Sequence, residues 1–235
     1  MPLENLAESL ARAARALASE DNVERTLDKA VELAVELIRG CDAAGVTLVR
    51  RGNALESPAH TDEMVARGDA LQLELREGPC VDAVWEQQVV ISGDLASETR
   101  WPNWAAGVVA ETGARSMMCV QLFTSETTLG ALNMYAKSPN AFDHQSDRYA
   151  AQALAAHVAV ALVAAQRIEN LYTALDSRTV IGQAEGILME RFDLSPQSAF
   201  EVLRRVSSHS NEKLHAVALE LVRTRRLPPS GRRGG

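Results

Sequence analysis

The sequence predicts an α+β chain: a sheet flanked by helices, then one long coiled-coil-like helix, then a small helical unit. Three observations predict it. Short apolar runs such as Ser116–Phe123 and Leu129–Ala136 alternate with helical apolar periods through the middle of the 235 residues. From Asp143 onward, apolar residues recur at steps of four and three. Finally, Arg178–Lys213 packs helix, turn, helix and turn into 36 residues. That block is too small to house a catalytic pocket, so it reads as a surface that grips something.

The elements follow in order. Residues 3–18 place Leu6, Leu10, Ala13, Ala14 and Leu17 on one helical face. Asp21-Asn22 signals a cap, and Val23, Leu27, Ala30, Val31, Ala34, Val35 and Ile38 carry the next helix to Gly40. Ala44–Arg50 and Ala54–His60 read as extended pieces joined by the turn Arg51-Gly52-Asn53. A helix is expected over Thr61–Gly68, and another over Cys80–Gln87 with Pro79 in its first turn. Val89–Ile91 reads as a buried strand and Pro102–Ala110 as a helix. Ser116–Phe123 and Leu129–Ala136 are strands joined by a polar loop, which makes the middle a mixed sheet flanked by helices.

In the long helix, Leu154, Val158, Ala161, Ala165, Ile168, Tyr172, Leu175 and Thr179 keep heptad spacing. This suits a parallel dimer seam, although the Ala/Val stretch 153–165 also suits packing on its own sheet. The helix is expected to run to about Glu190, where Asp193-Leu194-Ser195-Pro196 resets it, with Ser195 as N-cap. The next helix is expected to bury Ala199, Phe200, Leu203 and Val206, with a turn at Ser207–Asn211. A last helix carries Leu214, Val217, Ala218, Leu221 and Val222, and residues 227–235 read as a disordered tail.

Charge is unevenly spread. Residues 166–235 hold 11 Lys/Arg against 8 Asp/Glu, a net +3, while residues 1–165 hold 13 against 23, a net −10. Only the C-terminal part can approach a polyanion readily. No unbroken run of 18 apolar residues occurs, so no membrane span is expected. The N-terminus has two acids before its first arginine and no unbroken apolar core, so a signal peptide is not expected, and a cytoplasmic protein is. Cys41, Cys80 and Cys119 lie 39 residues apart with no CxxC, the pattern of reduced, buried thiols. Phosphate-binding glycine loops, HExxH and GxSxG are absent, and the five histidines lack i, i+4 pairing. An enzyme, a bound cofactor and a metal are therefore not expected.

Residues from about 20 to 165 resemble the GAF domains of actinobacterial regulators. The residues that carry this are Glu77-Gly78-Pro79-Cys80 with Asp82-Ala83, Asp94-Leu95, Arg100-Trp101-Pro102, Gly113-Ala114-Arg115-Ser116, and Leu129–Tyr135 with Phe142-Asp143. Residues from about 170 to 226 resemble the ANTAR domain. That match runs through Leu175, Arg178, Ile181, Ala184, Gly186-Ile187-Leu188-Met189, then Ser195, Ala199-Phe200, Leu203-Arg204, then Ser207, Asn211, Lys213-Leu214 and Ala218. The resemblance implies an antiparallel sensor sheet and a three-helix RNA-binding module, active as a homodimer on paired hairpins in leader transcripts. Many ANTAR domains carry Lys between the alanine and the glycine. Here that position is Glu185, and the resemblance implies that a carboxylate there would lose a phosphate contact and repel the RNA backbone. On this view the chain divides into an N-terminal helix (1–19), a GAF-like domain (20–165), the coiled-coil extension with the ANTAR domain (166–226) and the tail.

The candidate RNA-binding residues are Arg178, Ala184, Gly186, Arg191, Arg204, Ser207, Asn211 and Lys213. Arg205 is a further available cation, and Arg223, Arg225, Arg226, Arg232 and Arg233 add nonspecific attraction. Ala184 and Gly186 serve either close helix packing or close approach of RNA. Ser207 and Asn211 are turn residues that can also donate to phosphate. Aromatic platforms are few (Tyr172, Phe192, Phe200), so base stacking is not the expected main mode. In the middle domain, Cys80, Trp85, Trp101, Trp104, Met117 and Tyr135 either line a pocket for an unidentified signal or pack an ordinary core. The rival readings are a protein-interaction module without RNA and a thiol-based GAF enzyme.

Overall fold

The computed structural model describes residues 3–85, 89–125 and 127–226, so the expected tail at 227–235 lies outside the described residues. The chain divides into two units, Met1–Ile168 and Glu169–Gly235.

In the N-terminal unit, helices α1 (Leu3–Ala18) and α2 (Val23–Leu37) come first. Asn22 caps α2, its side-chain oxygen accepting from the Arg25 N–H at 2.8 Å. Five strands follow: β1 (Ala43–Val49), β2 (Leu55–His60), β3 (Val89–Ser92), β4 (Ser116–Phe123) and β5 (Thr128–Ala136). They lie in the order β2-β1-β5-β4-β3 with every neighbouring pair antiparallel. The mixed sheet expected from composition is thus corrected to an antiparallel one, as the family resemblance implied.

Period-two alternation separates the two faces of this sheet. Ala44, Val46, Leu48, Met118, Val120, Leu122, Leu132 and Met134 pack with α1, α2 and the first part of α6 (Gln145–Phe192). Met117, Cys119, Ala131 and Tyr135 point the other way, into a core shared with α3 (Glu63–Leu75), α4 (Pro79–Trp85) and α5 (Pro102–Thr112). The result is helix, sheet, helix in three layers.

Helix α3 runs seven residues past the expected stop at Gly68. Gly68 is there for space: a Cβ would stand 2.9 Å from the Tyr135 hydroxyl. Gly45 on β1 does the same from the sheet side, where a Cβ would meet Val65 Cγ1 at 2.5 Å. These two glycines let α3 sit against the sheet.

Residues of the N-terminal sequence motif act as ties. Glu77 accepts from the backbone N–H groups of Asn103 (2.8 Å) and Trp104 (3.2 Å), closing the open first turn of α5. The Trp101 indole donates to Asp82 at 3.0 Å. Arg115 grips Asp94 with two nitrogens, holding the turn at Leu95–Ser97 to the start of β4.

The expected absence of a membrane span rested on the lack of an unbroken apolar run. Helix α6 nonetheless holds an 18-residue window of mean hydropathy 1.4, long and apolar enough to cross a membrane by length and composition, with 44% of it buried in the structure.

In the C-terminal unit, α6 continues to Phe192, α7 spans Pro196–Ser210 and α8 spans Leu214–Thr224. Ser195 caps α7 by accepting from the Ser198 N–H at 3.2 Å, with Pro196 behind it. Asn211, at φ 56°, ends α7 in the left-handed region. The core is Val180, Ala184, Leu188, Ala199, Leu203, Val217, Ala218 and Leu221. Phe200 corrects an expectation: it is 36% exposed, and Ala199 and Leu203 take the interior instead.

Gly45→Val is expected to lower unfolding free energy by about 3 kcal/mol in urea titrations, since the added side chain overpacks the α3–sheet contact. A loss below about 0.5 kcal/mol would mean that α3 recedes at no cost.

Candidate nucleic-acid interface and sensor core

The C-terminal unit sorts the expected RNA-binding residues by what already holds them. Ala184 is fully buried among the three helices, so its place on the interface is corrected: its small side chain serves helix packing. Gly186 is exposed, and a Cβ there would meet nothing within 4 Å. Gly182, one turn earlier, is likewise exposed and open. Arg178, Gly182 and Gly186 follow at four-residue steps along one edge of α6, and all three are exposed. Glu185 beside them is half-buried.

The other candidates carry structural duties. Arg191 donates to the Arg225 carbonyl at 2.7 Å, capping the end of α8. Ser207 donates to the Glu212 carbonyl at 2.6 Å and braces the α7–α8 turn that Asn211 makes. Arg204 pairs with Glu201 at 2.6 Å, a surface contact of little strength. Lys213 stands exposed at the N-cap of α8, with no side-chain cap bond. A groove of about 850 Å³ lies between α6 and α8, lined by Gln183, Gly186, Ile187, Glu190, Arg191, Val222 and Arg225. The sequence reading missed Gln183, Ile187 and Val222, whose only signal is their position one step off the buried stripe. Arg205, Arg223, Arg225 and Arg226 are exposed, while Arg232 and Arg233 lie outside the described residues. Tyr172 (68%), Phe192 (54%) and Phe200 (36%) are exposed aromatics.

The N-terminal unit resolves the pocket-or-core alternative toward core. Cys80, Trp101, Trp104, Met117 and Tyr135 are all buried in one cluster. The Trp85 side chain lies outside the described residues. Trp101 and Trp104 meet edge to face at 6.1 Å, and the Trp104 indole donates to the Gly68 carbonyl at 3.0 Å.

At the centre sits a residue the sequence reading overlooked. Asp69 is 1% exposed and receives five donors. Tyr135 Oη donates to one oxygen at 2.7 Å and Asn133 Nδ2 to the other at 2.9 Å. Ser57 (3.2 Å), Thr47 (3.4 Å) and Gln72 Nε2 (3.3 Å) complete the set. Burial pushes the Asp69 carboxyl above its usual range, against the donors that pull it down. The visible signal was an acid at the helical spacing of the buried face Val65, Gly68 and Gln72.

Gln72 links this network outward. Its carbonyl accepts from the Cys80 N–H at 2.7 Å, and its residue lines a cleft of about 510 Å³ with Gly52–Leu55, Leu73, Arg76 and Val81. The expected pocket residues do not line that cleft. All three cysteines are free and buried. Burial raises the Cys41 thiol to about 12 and lifts Cys119 well above its normal value. Among the described residues, no three His, Cys, Asp or Glu side chains gather to hold a metal ion.

The comparisons agree with this architecture. Residues 20–163 match the family model of the GAF domain and residues 169–222 that of the ANTAR domain. GAF and ANTAR are regulatory domains: the ANTAR domain implies RNA-binding antitermination and the GAF domain a sensory unit. No curated protein matches the chain. Among solved structures, a bacteriophytochrome from the photosynthetic bacterium R. palustris is similar at TM-score 0.60 and 13% identity, over 88% of this chain and 47% of that one. A free methionine-R-sulfoxide reductase from Neisseria meningitidis matches at TM-score 0.51 and 17% identity, over 69% of this chain and 90% of that one. The GAF domain of an Acinetobacter phosphoenolpyruvate-protein phosphotransferase matches at TM-score 0.53 and 16% identity, over 71% and 97%. The chain spans about half the length of the phytochrome structures it matches. At these identities the likeness is one of fold.

Asp69→Asn is expected to show the sign of the Asp69 shift. A carboxyl raised on folding stabilises the folded state at low pH and loses that contribution as pH rises through the folded value. The stability gap between wild type and Asp69→Asn therefore narrows as pH rises above the ordinary Asp range in urea titrations. A gap that widens would show the donors outweighing burial.

Proposed function

Because the chain belongs to the GAF family and carries an ANTAR domain after its GAF domain, we propose that it binds paired hairpins in nascent transcripts and promotes readthrough in response to a signal at the GAF unit. The observation that supports this most is the exposed edge Arg178–Gly182–Gly186. Glycine inside a helix costs roughly 1 kcal/mol relative to alanine. Among the described residues, neither Gly182 nor Gly186 has a neighbour that would need the space. Absent side chains beside an exposed arginine suit close approach by a nucleic-acid backbone.

In this reading Arg178, Arg204, Arg205 and Lys213 meet phosphates, and Gly186 opens the groove toward α8. Arg191, Ser207 and Asn211 act by shaping that surface. Glu185 is half-buried beside the edge, so binding depends on separate cations rather than a continuous basic stripe. The exposed aromatics Tyr172, Phe192 and Phe200 widen the expected modes to include stacking of unpaired bases.

Two copies suit two hairpins. Helix α6 fits a coiled coil, and in the C-terminal unit Leu171 (64%), Tyr172 (68%) and Leu175 (59%) are exposed on it. The sensor reading rests on Gln72, which touches both the 510 Å³ cleft and the Asp69 network. A small-molecule or protein signal acts there only by binding one arrangement better than another.

Gel retardation with a two-hairpin RNA over a salt series tests this proposal. Binding is expected to weaken steeply with salt, and Arg178→Ala to reduce the log–log slope by about one. Gly186→Leu is expected to weaken binding by about tenfold or more, with helical content unchanged. Equal affinity in both variants would remove this edge from the interface, and no retardation at low salt would favour a protein-docking role.

A further inference from the structure

Two of the three cysteines share one place in the N-terminal unit. Cys119 lies on β4 between Val90 of β3 and Asn133 of β5. It belongs to the core that α4 covers, where Cys80 is buried with it. Burial and, next to it, a hydrogen bond with the Cys80 thiol lift the Cys119 thiol well above its ordinary value, so the two sulfurs are in contact. The packing of α4 agrees. Gln121 Nε2 donates to the Val84 carbonyl at 2.9 Å and ties α4 to β4. Gln121 is two residues beyond Cys119 on one face of β4, and Val84 is four residues beyond Cys80 on one face of α4. Both steps advance the chain by about 6 Å, so helix and strand match at both ends.

The thiol pair touches the Asp69 network from two sides. Cys119 donates to Asn133 Oδ1 at 2.8 Å, and Asn133 Nδ2 donates to Asp69 at 2.9 Å and Thr47 at 3.0 Å. The Cys80 N–H donates to Gln72 Oε1 at 2.7 Å, and Gln72 Nε2 donates to Asp69 at 3.3 Å. Cys41 lies apart, in the core on the other face of the sheet. Among the described residues, no third ligand joins the two sulfurs to hold a metal ion.

We propose that Cys80 and Cys119 form an oxidative modification site, a dithiol that a peroxide converts to a disulfide. The Cys80 sulfur attacks one peroxide oxygen, the O–O bond breaks, and one water leaves a sulfenic acid on Cys80. The Cys119 sulfur then attacks the Cys80 sulfur, the S–O bond breaks, and a second water leaves. Two thiols are oxidised, one peroxide is reduced, and both thiol protons end in water. Cys80 takes the first step because its neighbour Val81 and its partner Gln72 line the cleft of about 510 Å³, while Cys119 is enclosed by the sheet. Cys80 is itself 1% exposed, so the oxidant reaches it only as α4 shifts at the cleft. Once the disulfide forms, Asn133 Oδ1 loses its donor, and the change is felt at Asp69. No step involves RNA, so the site stands apart from the readthrough proposal.

Trypsin places Cys41, Cys80 and Cys119 on separate peptides, 40–50, 77–100 and 116–137. The full chain is treated with hydrogen peroxide at neutral pH, blocked with iodoacetamide and digested without reductant. Mass spectrometry is expected to find 77–100 joined to 116–137, lighter than their sum by two hydrogens. The three free thiols are expected to fall to one per chain, and to return with dithiothreitol. Cys119→Ala is expected to leave a sulfenic acid on Cys80 that dimedone captures, and Cys41→Ala to pair as wild type does. The wild-type peptide map decides the matter even if a variant fails to fold. Three thiols retained after peroxide, or a link through Cys41 or between chains, would overturn the proposal. So would a disulfide that forms only with loss of near-ultraviolet circular dichroism, because the thiols would then meet only in the unfolded chain.

Discussion

A carboxylate removed from water must be met by donors or give up its charge, and in the N-terminal unit Asp69 imposes that demand on most of the fold. Its donors come from β1 (Thr47), β2 (Ser57), α3 (Gln72) and β5 (Asn133, Tyr135). Gln72 passes the connection to the start of α4 through the Cys80 N–H, and Cys119 on β4 donates to Asn133 at 2.8 Å. A single buried group thus fixes where α3 sits, which way β5 faces and where α4 begins. The space for it comes from Gly45 and Gly68. The motif Leu129–Tyr135 gains a physical meaning here, because Asn133 and Tyr135 satisfy Asp69.

The C-terminal unit uses small residues in two opposed ways. Ala184, Ala199 and Ala218 are buried and allow the three helices to approach one another. Gly182 and Gly186 are on the outside, where no neighbour among the described residues needs the room. Inside, smallness serves the fold; outside, it costs helix stability without relieving any contact among the described residues. The surrounding cations divide along the same line. Arg191 is committed to the end of α8, while Arg178 and Lys213 are presented to solvent.

Much of the architecture was legible in the sequence. The span of β4, the caps Asn22 and Ser195-Pro196, and both hairpins follow from local rules that act within a few residues. Candidate sites were less legible, because exposure depends on what lies opposite. Ala184 and Gly186 are two residues apart on one helix, yet one is buried and one is open. Phe200 follows the buried Ala199 but faces outward, since the smaller residue fits the close contact.

By itself the sequence determined the order and kind of the elements, the separation of an acidic part from a basic one, and the lack of familiar catalytic motifs. These depend on period, composition and turn chemistry, all of which are local. Tertiary structure alone decided which apolar face of α6 is buried, because Leu154, Val158 and Ala161 recur with the same helical spacing as Tyr149, Ala153, Ala156 and Val160, and only the core of the N-terminal unit distinguishes them. It also decided that Asp69 is an interior residue: its donors lie up to 66 positions away in the chain, and no local pattern announces that they will converge.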